Sequence, residues 1–182
     1  AFRVDMRASP PDLIVHGGDL AFNAPALEAD LAYAGQELKN LGIPWRAIPG
    51  NHDIGEAPSF SRLRQPLTPQ QIAAWHRHVG PQYWAHDIGT WRLIGLDTSL
   101  MGSALPAEAE QRAFLTDALG TRGKRPVMVF IHMPPYDQDP NDTAWTVATI
   151  PHAPRADFLE TCANHGVKII CCGHLHVYRH LR

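Results

Sequence analysis

Short apolar runs, each broken off by a polar or glycine-bearing step, most narrowly limit the folds open to this 182-residue chain. They are Leu13 to His16, Trp45 to Ile48, Val127 to Ile131 and Val167 to Cys172. Segments this short and apolar read as buried strands, and the stretches between several of them carry helical patterns. Asn23 can cap a helix through Pro25 to Leu41, which Gly42 ends. Pro106 opens a second helix with Phe114, Leu115, Ala118 and Leu119 on its inner face before Gly120, and a third runs from about Arg155 to Asn164 and stops near Gly166. Strands alternating with helices predict an α/β layered fold rather than an all-β one. Tyr83 to Asp87 and Trp91 to Asp97 flank Ile88-Gly89-Thr90 and read as a hairpin.

The steps that end these strands carry the chemistry. Gly18-Asp19, Gly50-Asn51-His52-Asp53, His132-Met133-Pro134 and Gly173-His174-Leu175-His176 each sit just past an apolar run. One carboxylate, one amide and three imidazoles would converge on one edge of a sheet. That donor set is hard to borderline, suited to Mn, Fe, Zn or Co and poor for Cu(I) or an iron–sulfur cluster. Each piece alone is weak; the four in this order are specific.

Together they resemble the calcineurin-like metallophosphoesterase family, and the resemblance runs from about Asp12 to His176. It implies a β-sandwich flanked by helices and a site for two divalent ions. It also implies that Asp19 bridges the two ions, and that Asn51, His132 and His174 complete one of them while His176 joins Asp19 on the other. His52 would stand beside the leaving group as general acid, with Asp53 hydrogen-bonded to its other ring nitrogen. The reaction implied is attack of a metal-bound hydroxide on phosphorus, in line with the leaving oxygen. One piece of the family pattern, an Asp-x-His on a strand upstream of Gly-Asp, does not occur before Asp19. Val4-Asp5-Met6-Arg7 has Arg in place of the His and lies too close to Asp19 for a strand and crossover helix between them. The sequence is therefore expected to begin inside the first crossover, with the first strand and two ligands missing, and the domain spanning 1–182 is also open to incompleteness at its C-terminus.

Residues separate the branches of the family. Phe22 stands where purple acid phosphatases, by resemblance, place a tyrosine ligand, and the Gly-Asn-His-Glu of Ser/Thr protein phosphatases is here Gly-Asn-His-Asp. Leu96-Asp97-Thr98, structural by resemblance, and His132-Met133-Pro134-Pro135 look most like bacterial cyclic-nucleotide and glycerophosphodiester phosphodiesterases. The expected function is hydrolysis of small phosphodiesters. The rivals are a DNA exonuclease of the same family and a truncated, metal-binding but catalytically silent domain.

Composition narrows the partners. A formal charge of −2 gives no basic field of the kind that advertises duplex nucleic acid, so a small-molecule substrate is favoured. No stretch is apolar enough to span a bilayer, no signal peptide begins the chain, and a homo-oligomer is compatible with the sequence. Three cysteines, two of them adjacent at Cys171-Cys172, argue against a disulfide framework and for a reducing, cytoplasmic setting.

Two long connections, Ile54 to Gln82 and Met133 to Pro154, are expected to roof the substrate pocket. They and their neighbours offer Trp75, Trp84, Tyr136 and Trp145 for stacking, with Tyr136 and His152 the candidate substrate contacts. His76 and His78 are two apart on an apparent helix and face different ways, which suits a surface role. His86 and His180 are read on strands near turns, and Arg62 and Arg64 as solvated surface.

Overall fold

The computed structural model describes residues 8–57, 65–141, 143, 148–178 and 180. The upstream Val4-Asp5-Met6-Arg7, Arg62, Arg64 and Trp145 lie outside them. Strands β1 (Ile14–His16) and β2 (Trp45–Ala47) pair in parallel, with Ile14 opposite Trp45 and His16 opposite Ala47. A second sheet has the order β3-β4-β5-β6, formed by Trp84–Ile88, Trp91–Gly95, Val127–Ile131 and Ile169–Cys172. The first pair is the expected hairpin and is antiparallel; β4 to β5 and β5 to β6 are parallel. Each parallel step needs a crossover, and a helix supplies it. These are α1 (Glu28–Lys39) between β1 and β2, α4 (Pro106–Gly120) between β4 and β5, and α5 (His152–Asn164) between β5 and β6. Between β2 and β3 lie the short α2 (Asn51–Ile54) and α3 (Pro69–His78).

The strand pattern dictates the layering. In β5, Val127, Val129 and Ile131 are fully buried among Leu115, Leu119, Phe158 and Cys162 of α4 and α5. The alternate residues Met128 and Phe130 turn to the other face, against Ile48, Trp84 and Leu93. Leu13 and Val15 reach that same cluster from the first sheet, so it is the filling between two sheets. Trp84 Nε1 donates to the Ala47 carbonyl at 2.7 Å and ties β3 to β2. On the outer side of the first sheet, Leu31, Leu38 and Trp75 from α1 and α3 pack with Ala47 and Ile54. The result is the sandwich flanked by helices that the resemblance implies.

Several local expectations change. The first helix starts at Glu28 rather than Pro25: the Asn23 carbonyl accepts the N–H groups of Ala26 and Leu27 in a preceding turn, and the Asn23 side chain accepts from Gln65 Nε2. The connection from Ile54 to Gln82 is not a long loop, because α3 occupies its second half. Thr68 and Gln71 cap α3 reciprocally, and Pro69 opens its first turn. Trp75 on α3 is completely buried and Trp84 nearly so, which withdraws both from any substrate surface. The last helix begins at His152, exposed in its first turn, rather than at Arg155; His180 is not in a strand. Among the described residues no helix is long and apolar enough to cross a membrane.

Candidate metal centre

The exits of β1, β2, β5 and β6 meet at one end of the two sheets. After His16 the chain turns through Gly17-Gly18 and reaches Asp19 with φ of +54°, a left-handed conformation uncommon for a residue with a Cβ. Two glycines permit the approach. A Cβ on Gly18 would strike His132 Nδ1, and one on Gly50 would strike the Asp19 carboxylate and main chain. His174 and His176, just past β6, are also left-handed, at +68° and +52°. Their backbone is therefore not extended, as would be needed for both rings to face one way; His174 joins the site and His176 is exposed. Such strain concentrates where function over-determines the backbone.

The atoms gather on one ring nitrogen. His132, 1% exposed, places Nδ1 2.9 Å from the Gly17 carbonyl, which can only accept. Nδ1 therefore carries the hydrogen and Nε2 presents its lone pair. Facing Nε2 are Asp19 Oδ2 at 3.1 Å, Asn51 Oδ1 at 3.2 Å and His174 Nδ1 at 3.2 Å. Asp19, His132 and His174 are close enough to hold one metal ion, and Asn51 Oδ1 lies against the same nitrogen. A carboxylate oxygen, an amide oxygen and imidazole nitrogens converging on one point suit a divalent cation of the borderline class. Without a cation, only a proton can relieve the crowding. Burial would depress the His132 imidazole, but the Asp19 carboxylate and the Gly17 carbonyl hold it above its ordinary value. Burial would raise Asp19, and the hydrogen bond and charge of His132 with the His52 N–H hold it low instead.

Around this group the backbone is laced tightly. Asp53 does not hydrogen-bond the His52 ring, contrary to the expected pairing. Its carboxylate accepts the N–H groups of Gly50 at 2.8 Å, Ala21 at 2.8 Å and Leu20 at 3.1 Å, joining the segment after Asp19 to the start of α2. The partner of His52 Nδ1 is the Phe22 carbonyl at 2.8 Å, and the Phe22 ring stacks on the imidazole. The His52 N–H donates to Asp19 Oδ1 at 3.1 Å. Behind His132, the Thr98 hydroxyl accepts the Met133 N–H, and Gln111 brackets both main-chain groups of Asp97, which gives Leu96-Asp97-Thr98 its structural part. Buried Arg155 donates to the Pro135 carbonyl and fixes the exit from His132-Met133-Pro134.

One residue beside the site was not singled out from the sequence. His16 Nδ1 is buried with no hydrogen-bond partner, and burial, then the charge of His132, depress the ring's pKa against the pull of Asp19. Its place directly before Gly-Gly-Asp was the available signal. Tyr136 is half-buried and lines a cavity of about 350 Å³ along β6 with Lys168, Leu159 and Leu175.

The sequence model of the calcineurin-like phosphoesterase family matches residues 4–178. The glycerophosphodiester phosphodiesterase GpdQ of Enterobacter lignolyticus is 34% identical over 126 residues, covering 69% of this chain and 42% of its own length. The probable glycerophosphodiester phosphodiesterase GpdQ of Arcobacter nitrofigilis is 30% identical with the same coverage. The serine/threonine-protein phosphatase CPPED1 of Bos taurus is 26% identical over 140 residues, 74% of this chain and 42% of that one. The chain thus spans about two fifths of the length of these relatives. A purple acid phosphatase from yellow lupin seeds shares the fold at a TM-score of 0.67 and 17% identity, over 98% of this chain and 34% of that one.

Proposed function

This chain belongs to the calcineurin-like phosphoesterase family, and from that premise we propose that it hydrolyses small phosphodiesters with bound divalent metal ions. The observation that carries the reading is the convergence of Asp19, Asn51 and His174 on His132 Nε2. These four would hold one ion; Asp19 and His176 would remain for a second. Divalent ions in such a site neutralise phosphate charge and make water a nucleophile near neutral pH.

The chain's own groups do the rest. Gly17 fixes the His132 tautomer, so its Nε2 faces the site. The Phe22 carbonyl takes the Nδ1 hydrogen of His52, so the imidazolium form of the ring would give its Nε2 proton to the departing alkoxide and be left neutral, with Nδ1 still protonated. A positioned general acid of this kind is worth roughly a hundredfold or more. Asp53 keeps the two loops that carry these groups in register. Tyr136 and His152 are the groups proposed to meet the substrate, Tyr136 from its cavity beside Gly173 and His152 from the exposed start of α5. The diester preference is supported by the two relatives named as glycerophosphodiester phosphodiesterases and by the absence of net positive charge.

The test is the rate on bis-p-nitrophenyl phosphate against p-nitrophenyl phosphate for the Mn-loaded protein. The diester should turn over faster, chelator should abolish both activities, and Mn should restore them. Faster monoester turnover would overturn the diester reading, and degradation of duplex DNA would favour the exonuclease one.

A further inference from the structure

Phe22 keeps 84% of its surface exposed while Ala21 and Ala24 on either side are buried. Its backbone is not loose. Asp53 holds the N–H groups of Leu20 and Ala21, the Ala24 N–H donates to the His52 carbonyl at 3.0 Å, and the Phe22 carbonyl accepts from the His52 ring. The ring is thus presented from a clamped turn. One face lies on the His52 imidazole, with centroids 5.5 Å apart and planes 17° from parallel. The opposite face meets solvent, next to the group proposed to protonate the leaving oxygen. So exposed a ring contributes little to the core, and the stack on His52 extends an aromatic surface outward from the reacting centre.

We infer that Phe22 selects the leaving group: the free face of its ring stacks a planar aromatic alcohol on the phosphoester, in preference to a flexible aliphatic one. The inference rests on His52 serving the leaving-group side, as proposed above. A ring aligned with Phe22 gains offset-stacking contact that an alkyl chain of similar size does not, and it keeps its ester oxygen beside His52 Nε2. Aromatic pairs of this kind change affinity by roughly two- to tenfold.

The experiment needs no turnover. Binding of phenyl methylphosphonate and n-propyl methylphosphonate, each a single negative charge like a diester, is measured by calorimetry on the Mn-loaded chain and on Phe22→Ala and Phe22→Trp. The wild type should prefer the phenyl ester about fivefold, Phe22→Ala should bring the ratio near one, and Phe22→Trp should keep it. Uridine 5′-methylphosphonate as a third ligand separates a ring attached directly to the ester oxygen from a base held across a ribose; a Phe22-dependent advantage for the uridine ester without one for the phenyl ester overturns the inference. Equal affinity of the wild type for all three esters, no binding of any, or a preference that survives in Phe22→Ala overturns the inference. A lost preference with no diester hydrolysis would instead sink the proposed function and leave the stacking surface standing.

Discussion

His132 Nε2 is the atom on which the proposed chemistry turns, because polar atoms of three other side chains lie 3.1 to 3.2 Å from it and a backbone carbonyl fixes its tautomer. Removing a group that faces it should therefore act on metal affinity, whereas removing His52 should not. Asn51→Ala and His174→Ala are expected to weaken Mn binding at least tenfold by calorimetry. His52→Ala should keep Mn and lose about a hundredfold in turnover, most for poor leaving groups; loss of the metal in His52→Ala would place that ring among the ligands. Gly50 offers a sharper probe. Its missing side chain is the space that the Asp19 carboxylate fills, so Gly50→Ala should cost Mn affinity more than His52→Ala does while circular dichroism reports an intact fold. The identities of these residues were legible in the sequence because each closes an apolar run. The left-handed backbone at Asp19, His174 and His176 was not, since it is imposed by the packing of loops far apart in the chain. The partner of His52 is hidden for the same reason: an adjacent carboxylate looks closer in sequence than a carbonyl thirty residues away.

At the scale of elements, the 3₁₀ turn Thr98–Leu100 joins β4 to the loop under the site, and buried Asp97 caps it. Asp97 Oδ1 accepts the Ser99 N–H at 2.8 Å, but Oδ2 is buried with no partner. Burial pushes its pKa up to about 7, against the N–H groups of Ser99 and Leu100. The state that holds the proton sets the sign. Below the ordinary carboxylate pKa both folded and unfolded chains are protonated and nothing is lost. Between that value and about 7 only the folded chain keeps the proton, so this residue's contribution to stability falls as pH rises, by ~1.4 kcal/mol per pH unit. In the metal-free protein, urea denaturation of Asp97→Asn should lack that fall, gaining on the wild type by a few kcal/mol from about pH 4 to about pH 7. A constant difference across the range would mean that Asp97 is ionised in the fold. Elements of this kind hide from pattern reading for a physical reason. Capping signals such as Thr68-Pro69 with Gln71 are local and were available, whereas the burial of Asp97, Trp75 and Trp84 depends on layers that only the assembled fold brings together.

Across the whole molecule, the layered architecture was readable because period-two strands and helical crossovers leave few arrangements open, and Val127 to Ile131 already showed both faces of its sheet. The candidate metal centre, in turn, is where the two sheets meet: Asp19 and Asn51 come from the exits of β1 and β2, His132 and His174 from those of β5 and β6. Across that junction the described contacts include the Gly173 N–H donating to the His132 carbonyl and the His132 ring bonded to Gly17, so an ion there would join both sheets. Metal binding should consequently stabilise the fold as a whole rather than one loop. An ion that binds the folded chain alone adds about 2.7 kcal/mol at a hundredfold excess over its dissociation constant. For a domain of this size that is roughly 6–10 °C in Tm. Among the described residues a single group of His and Asp side chains is close enough to hold an ion, so the plateau should come at about one Mn per chain. Thermal denaturation against Mn concentration, with elemental analysis after desalting, measures both. A rise in Tm that chelator reverses at a stoichiometry near one fits a centre shared by the two sheets. A Tm indifferent to Mn would mean that the convergent polar atoms around His132 hold only a proton, and a stoichiometry of two would bring His176, with Asp19, into a second tight site.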